Sequence, residues 1–447
     1  MKPMRYKDLL INFTTEFDLL WNAKNMGATY PGCFWRPNTT SDTLNSYSSL
    51  GDVLVGHYRN INDLKIVAVV SEVDKVNGTA LRAPIDFQQV WKNAGKKVRA
   101  EISIWRPRPP EGYVAMGMVF SVGNEKPSLN SVRCVREDLV SHAYIGSPIW
   151  NDKGSRSQMD FSAWDIQTAE AEPGEACIAT GTFFGHDSYS KPTFGASPRA
   201  LRMDLAYLEN PLPAPPEPFG TMAEHPPQIC ELPWFLVKDN SLSILEQLKD
   251  SPIYRLERSD RYLEIGIGNN TTAEGKTFKW NTTNGEVGDH SIGFSHLTRI
   301  NIFSDWSWPL EGELGSEWIW STAIQPVFFS ARLNDAVNHT TQSAKGWGTS
   351  SSLEVAAYVP ANQTIAAYLI HSEYRLLRKD GTQLGPTVSY VNGDTVYFSE
   401  LPAPAPATNQ VEYMLEPAQE PAAIEEVPAE TTLEITPHDA IDDALVP

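Results

Sequence analysis

The sequence predicts an all-β protein whose first half follows a pseudo-threefold plan. Two observations carry this expectation. Tryptophans recur in pairs with a constant gap of 14 residues: Trp21 and Trp35, Trp91 and Trp105, Trp150 and Trp164. The composition also suits strands, because Trp, Tyr and Thr are plentiful, Gly and Pro punctuate the chain, and helical apolar periodicity is scarce. The intervals between the pairs are 70 and 59 residues (21 to 91, then 91 to 150). A unit that recurs three times is one supersecondary element whose copies bury their apolar faces against each other.

Each repeat reads as short strands. The first Trp of a pair follows a large aliphatic residue, in LWNAK from Leu20, VWKNA from Val90 and IWNDK from Ile149. The second lies in FWRP from Phe34, IWRP from Ile104 and, in weakened form, AWDI from Ala163. Bulky residues before proline suit a strand end or an edge, since proline has no N–H to give a ladder. A glycine among apolar residues follows each second Trp: Gly51, Gly117 and Gly181. Gly117 breaks an apolar strand, which predicts close backbone approach near the pseudo-axis. The Trp residues are expected in the core, one aromatic per sheet facing a shared centre. That leaves the loops between repeats as candidates for a receptor or glycan site.

Four regions follow along the chain. Residues 1–210 hold the repeats. Residues 211–230 form a linker announced by the Pro-rich ENPLPAPPEPFG, Glu209–Gly220, which predicts an extended conformation. Residues 231–401 are a second β-rich region, and residues 402–447 a Pro-, Ala- and Glu-rich tail with too little apolar surface to fold alone. The net charge of -19 is concentrated at one end: residues 1–200 carry 22 Lys and Arg against 21 Asp and Glu, while residues 401–447 carry ten acids and no Lys or Arg. No basic stripe is present, which argues against nucleic acid as a partner. The four cysteines, Cys33, Cys134, Cys177 and Cys230, have no zinc-site spacing, and Cys33, Cys134 and Cys177 sit in apolar contexts that suit buried free thiols. The N-terminus has no apolar run of signal-peptide length, so a soluble chain is expected, with its Asn-x-Ser/Thr sites as by-products of composition.

Within the second region one segment alternates strongly. From Asp289 to Leu310 the even positions carry Ile292, Phe294, Ile300, Ile302, Trp306, Trp308 and Leu310, and the odd positions are mostly polar. Pro309-Leu310-Glu311-Gly312 reads as a turn. Beyond it Leu314, Trp318 and Trp320 again take even positions. Two alternating arms around a turn make an amphipathic β-hairpin. Such a hairpin is half-buried in an ordinary sheet, or it crosses a membrane with one face to lipid and the other to water. The stretch Ser330–Tyr358, richer in Ser and Thr but less regular, competes for the same role.

Catalytic motifs are not evident. No GxSxG, P-loop or HExxH occurs, and GIGNN from Gly266 lacks the strand–Gly–helix context of a phosphate loop. The expectation is therefore a non-enzyme without cofactor or metal.

The run WRPRPPEGYVAMGMVFSVGNEKPSLNSVRCVREDLV, Trp105–Val140, resembles the signature of the vacuolar protein sorting-associated protein 62 family. The resemblance implies a β-prism-like body of three sheets, a shape that serves as a binding module in proteins acting on membranes. A β-trefoil is the alternative architecture, though its units are usually shorter. In the second half, GTSSSLEVAAY followed by VPANQTIAAYLIHSEYRLLRKDG, Val359–Gly381, is similar to the aerolysin and epsilon-toxin class of pore-forming proteins, as is NNTTAEGKTFKW. That resemblance implies an elongated antiparallel β domain over about residues 225–400, with the hairpin around Pro309 in the membrane-inserting position. Its four Trp depart from the Ser/Thr and small-aliphatic pattern of that class.

Together these readings give a toxin-like protein of cytolytic or insecticidal type. Its expected partners are a target-cell membrane and a receptor of protein, glycan or lipid nature. It is expected to act outside the producing cell as a homo-oligomer on the membrane, and the acidic tail either covers the oligomerisation surface or solvates the chain. The alternatives are a membrane-associated adaptor or lectin-like protein that makes no pore, and an enzyme on a β scaffold.

Overall fold

Every tryptophan pair marks a β-hairpin. The computed structural model describes residues 3–93, 101–155, 157–193, 195, 197–222, 224–287, 328–334 and 350–401. The first repeat contains β1 (Met4–Tyr6), β2 (Leu9–Thr14), β3 (Phe17–Asn22), β4 (Cys33–Pro37), β5 (Ser48–Ser49), β6 (Val53–Val55) and β7 (Val67–Glu72). The second contains β8 (Leu81–Arg82), β9 (Asp86–Asn93), β10 (Ile102–Arg108), β11 (Tyr113–Val114), β12 (Val119–Val122) and β13 (Cys134–Arg136). The third contains β14 (Val140–Asn151), β15 (Ser162–Thr168), β16 (Glu175–Ile178), β17 (Phe184–His186) and β18 (Arg199–Asp204). The equivalent antiparallel triplets β3-β4-β6, β9-β10-β12 and β14-β15-β17 establish the pseudo-threefold plan.

The constant Trp gap has a structural cause. Each hairpin carries a register irregularity beside its tryptophans: between Leu19 and Trp21, between Ile104 and Trp105, and around Pro148 and Trp150. The first Trp is thereby set opposite the residue before the second Trp, as in Trp21↔Phe34, Trp91↔Ile104 and Trp150↔Ala163. Cross-strand partners share a sheet face, so the two Trp of a pair lie on opposite faces. The first set converges on one centre with Phe34, Phe120, Phe161 and Phe183, where Trp91 and Trp150 meet edge to face with ring centroids 6.3 Å apart. The second set serves separate outer clusters, Trp35 with Val53 and Val67, and Trp105 with Phe87 and Val132. Of the six paired tryptophans, all are in the expected core except Trp21, which is half-buried. Ser103 and Ser162, two residues before Trp105 and Trp164, accept the indole N–H bonds at 2.8 Å. Cys33 takes that position in the first repeat, and the buried Trp35 Nε1 has no hydrogen-bond partner.

The three glycines lie where the repeats meet. A Cβ on Gly51 would come 3.0 Å from Gly117 Cα, and one on Gly117 would come 2.7 Å from Thr182 Cβ. Gly181 has φ +82° and faces Val67 of the first repeat at 3.0 Å. Hydrogen bonds close the same contacts, from Asp52 N to Met118 O (2.8 Å), Thr182 Oγ1 to Met116 O (2.7 Å) and Ala68 N to Thr180 O (3.1 Å). Arg36 of the FWRP phrase forks onto buried Asp52 with two 2.8 Å bonds, and Asp52 also accepts the Phe120 amide at 2.7 Å.

The three repeats make up the head; beyond them follow β19 (Tyr207–Leu208), β20 (Gln228–Pro233), α1 (Ile244–Asp250), β21 (Ile253–Asn270), β22 (Lys276–Val287), β23 (Phe329–Arg332), β24 (Ser351–Val359), β25 (Gln363–Leu377) and β26 (Gln383–Leu401), which apart from β23 make up the body. Seven of these strands form one sheet in the order β19-β20-β21-β25-β26-β22-β24, and its described pairings are antiparallel. The strand β23 instead joins the head as the edge of β17-β15-β14-β18-β16-β23. Helix α1 starts at a capping box of Ser243 and Glu246. Head and body share one apolar core, in which Phe13 meets Trp234 edge to face at 5.7 Å. Beside it, Arg378 forks onto buried Asp239 at 2.6 and 2.7 Å, and Tyr254 donates to the same carboxylate at 3.1 Å. Burial pushes the Asp239 carboxyl up, but the bonds from Arg378, the Ser241 amide and Tyr254 outweigh it and hold the group below its usual range. The four cysteines are free and buried, and burial raises every thiol.

Three measurements check this description. Gly117→Val overpacks the axis against Thr182 and lowers head stability by about 1–3 kcal/mol in denaturant unfolding. Ser103→Ala leaves the Trp105 N–H unsatisfied and costs about 1–3 kcal/mol in the same assay. The depressed Asp239 pKa gives stability that is present above the ordinary carboxylate value of about 4 and is lost as pH falls through the lower folded value. The Tm difference between the wild type and Asp239→Asn is therefore greatest near neutral pH and shrinks in acid.

Candidate functional site

The described part of the candidate membrane segment is its base. Strands β22 and β24 pair directly, from Lys276↔Val359 to Asn284↔Ser351. Along β22 the even positions Phe278, Trp280 and Thr282 are half-buried while Thr277, Lys279, Asn281 and Thr283 are exposed. From Ile292 to Leu310 the sequence carries most of its apolar residues on the same parity, with Leu297 and Phe303 as exceptions. On the exposed face Lys279 pairs with Glu354 at 2.9 Å. Residues Ile292, Phe294, Ile300, Ile302, Trp306, Trp308, Pro309, Leu310, Gly312, Leu314, Trp318 and Trp320 lie outside the described residues. Of the competing stretch Ser330–Tyr358, the described parts fall in two places: the head edge at β23 and the body sheet at β24.

Glycines on β21 seat this base. A Cβ on Gly266 would overlap the Trp280 ring, and one on Gly268 would lie 2.8 Å from Phe278. The two rings stack with centroids 6.3 Å apart and planes 13° from parallel. The GIGNN run is thus a strand stretch that gives room to two aromatics, and Asn270 at its end donates to the carbonyls of Glu274, Val359 and Pro360.

At one end of the head, turns from the first and third repeats meet. Thr29 N donates to Lys153 O at 2.7 Å. Lys24 lies over the Tyr58 ring at 5.2 Å and Lys153 over the Tyr189 ring at 4.8 Å. Tyr30 is 51% exposed and Tyr58 39%. Exposed rings beside ammonium groups suit contact with a polar or anionic surface. Sequence reading points only to the loops between repeats. The signal that finds these residues is the recurrence of Lys just after the first Trp, at Lys24, Lys92 and Lys153.

The Pro-rich linker closes over the body. Tyr262 donates to Pro213 O at 3.0 Å and Asn210 to Pro227 O at 2.7 Å, and the cleft beneath measures ≈ 740 Å³. Of its charged side chains, Arg261 pairs with Glu373 at 2.9 Å and Arg375 with Glu257 of the strand below at 3.2 Å. Among the described residues no group of three His, Cys, Asp or Glu is arranged to hold a metal, and no helix is long and apolar enough to cross a membrane.

Residues 5–210 match the family model described as vacuolar protein sorting-associated protein 62. Over that span the match agrees with the resemblance read from Trp105–Val140. Two solved structures are similar. One is GNIP1Aa from Chromobacterium piscinae, at 24% identity and TM-score 0.37, covering 44% of this chain and 37% of that one. The chain thus spans little more than a third of GNIP1Aa. The other is Cry35Ab1, at 10% identity and TM-score 0.31, covering 90% of this chain and 91% of that one. No curated protein matches the chain.

Gly266→Val tests the seat of the base. It displaces Trp280 and costs about 1–3 kcal/mol, read as a fall in Tm together with a changed Trp fluorescence.

Proposed function

We propose that this protein forms pores: the head docks on a target-cell surface, copies assemble into a ring, and each copy contributes one β-hairpin from residues 288–350 to a closed barrel. The observation that carries this reading is the paired base. Strands β22 and β24 make an antiparallel ladder that ends at Asn284↔Ser351. The sequence between them continues the alternation a lipid-facing strand needs. A barrel must close because an open sheet edge in lipid leaves backbone groups unsatisfied, which is why the reading requires a homo-oligomer.

The Tyr30, Tyr58, Lys24 and Lys153 end of the head is the surface assigned to docking, with a receptor of protein, glycan or lipid nature. No cofactor or catalytic step is needed, since concentration on a surface and burial of apolar strands in lipid drive the change.

Calcein-loaded liposomes made from target-cell membranes test the proposal. Leakage is expected with the wild type, and Trp308→Gly with Trp318→Gly abolishes leakage while leaving binding intact. Binding of the wild type without leakage would favour an adaptor or lectin-like role. Tyr30→Ala with Tyr58→Ala weakens binding by roughly tenfold, equivalent to about 1.4 kcal/mol, with Tm unchanged.

A further inference from the structure

Strand β23 completes a sheet to which its sequence neighbours do not belong. Strands β22 and β24 pair with one another in the body, whereas β23, between them in the chain, is the outer strand of the head. It runs antiparallel to β16 from Glu175↔Arg332 to Ile178↔Phe329. The ladder is extended by bonds from Ala179 N to Phe328 O (2.8 Å) and from Gly174 N to Arg332 O (2.9 Å). Side chains add to it. Phe329 enters the core shared by head and body and meets Phe235 at 5.2 Å, Ser330 Oγ donates to Ala169 O, and Ala331 and Leu333 are buried.

On its other side β16 pairs with β18, so without β23 it would be a bare sheet edge, and such an edge accepts strands. The same four residues are also needed elsewhere. In the β22–β24 ladder the paired residue numbers sum to 635 (284 with 351). Continued in register, that ladder would set residues 329–332 opposite 306–303. A turn at Pro309–Gly312 likewise leaves 329–332 on the returning arm. In a closed barrel of several copies the returning arm uses one edge for its own outgoing arm and the other for the neighbouring copy, which leaves no edge for β16.

We propose that the β16 edge is a docking site for the chain's own segment and that β23 is a latch. Docked, it ties the stretch between β22 and β24 to the head, and it must leave β16 before that stretch can become a hairpin. The proposal rests on the pore-forming reading and names how that transition is held back. It also couples the two halves of the molecule, because the latch is seated on the domain that meets the target.

The register supplies the test. Cys177 and Ser330 are directly opposed, both 1% exposed, and Cys177 is a free thiol. Opposed residues on antiparallel strands have Cα separations of about 4.5–5.5 Å, within the range of about 4.4–6.8 Å that a disulfide spans. The full-length Ser330→Cys variant, oxidised, is expected to bind target membranes as the wild type does and to cause no leakage, and reduction restores leakage to the wild-type level. The double variant C177S/S330C cannot form the bond and should leak with or without reductant. Leakage by the oxidised variant at the wild-type rate would overturn the latch while leaving pore formation standing. If neither the wild type nor the reduced variant leaks, pore formation fails, and a second measurement judges the latch. Cys177 of the wild type, protected from a thiol reagent in solution, is expected to become reactive on target membranes, and continued protection there would overturn the proposal.

Discussion

Three sheets can share one axis only if backbone takes the space that side chains would otherwise fill. Gly51, Gly117 and Gly181 meet that constraint, and the rest of the head follows from it. With the sheets drawn together, one tryptophan from each hairpin reaches a common centre, and the register irregularity beside it turns its partner outward. The pair of half-buried Arg36 with buried Asp52 lies at the same junction, and Asp52 takes the amide of Phe120 from the next repeat. Removing Arg36 would strand the Asp52 carboxylate in a low-dielectric interior, which fixes Arg36 more firmly than the net worth of the pair does.

The head is joined to the body by packing as well as by covalent continuity. Aromatic residues just after β20, Trp234 and Phe235, enter the apolar core that β2 of the head also lines. Strand β23 adds a hydrogen-bonded contact from the opposite direction along the chain. Apolar burial is non-directional and holds the domains together broadly, whereas a four-residue ladder is register-specific and can be released as a unit. Of the two joints, the register-specific one is the proposed latch, and it involves residues that the proposed membrane hairpin would need.

Much of the head was legible in the sequence. The constant Trp gap identified the three repeats, and Gly117 marked the axis, because both are local consequences of a repeated unit. What stayed hidden depended on contacts far apart in the chain. Nothing near Phe329–Arg332 tells that it pairs with Glu175–Ile178, since a four-residue strand carries no address for its partner. The contacts of Lys24 with Tyr58 and of Lys153 with Tyr189 escaped for a similar reason: each joins residues more than 30 positions apart in the chain. The seat for Phe278 and Trp280 was visible only as two glycines in GIGNN, a pattern that reads equally as a loop until the strand across it is known. The alternating run from Ile292 to Trp320 remains a statement of sequence, with its base placed between β22 and β24.

Perforation requires that copies of this chain assemble on a membrane. Electron microscopy of target-cell membranes after incubation with the protein tests this most directly. The account predicts closed rings with a central stain-filled channel, each built from copies of the chain. A surface decorated with bound single copies, without rings at saturating protein, would contradict it.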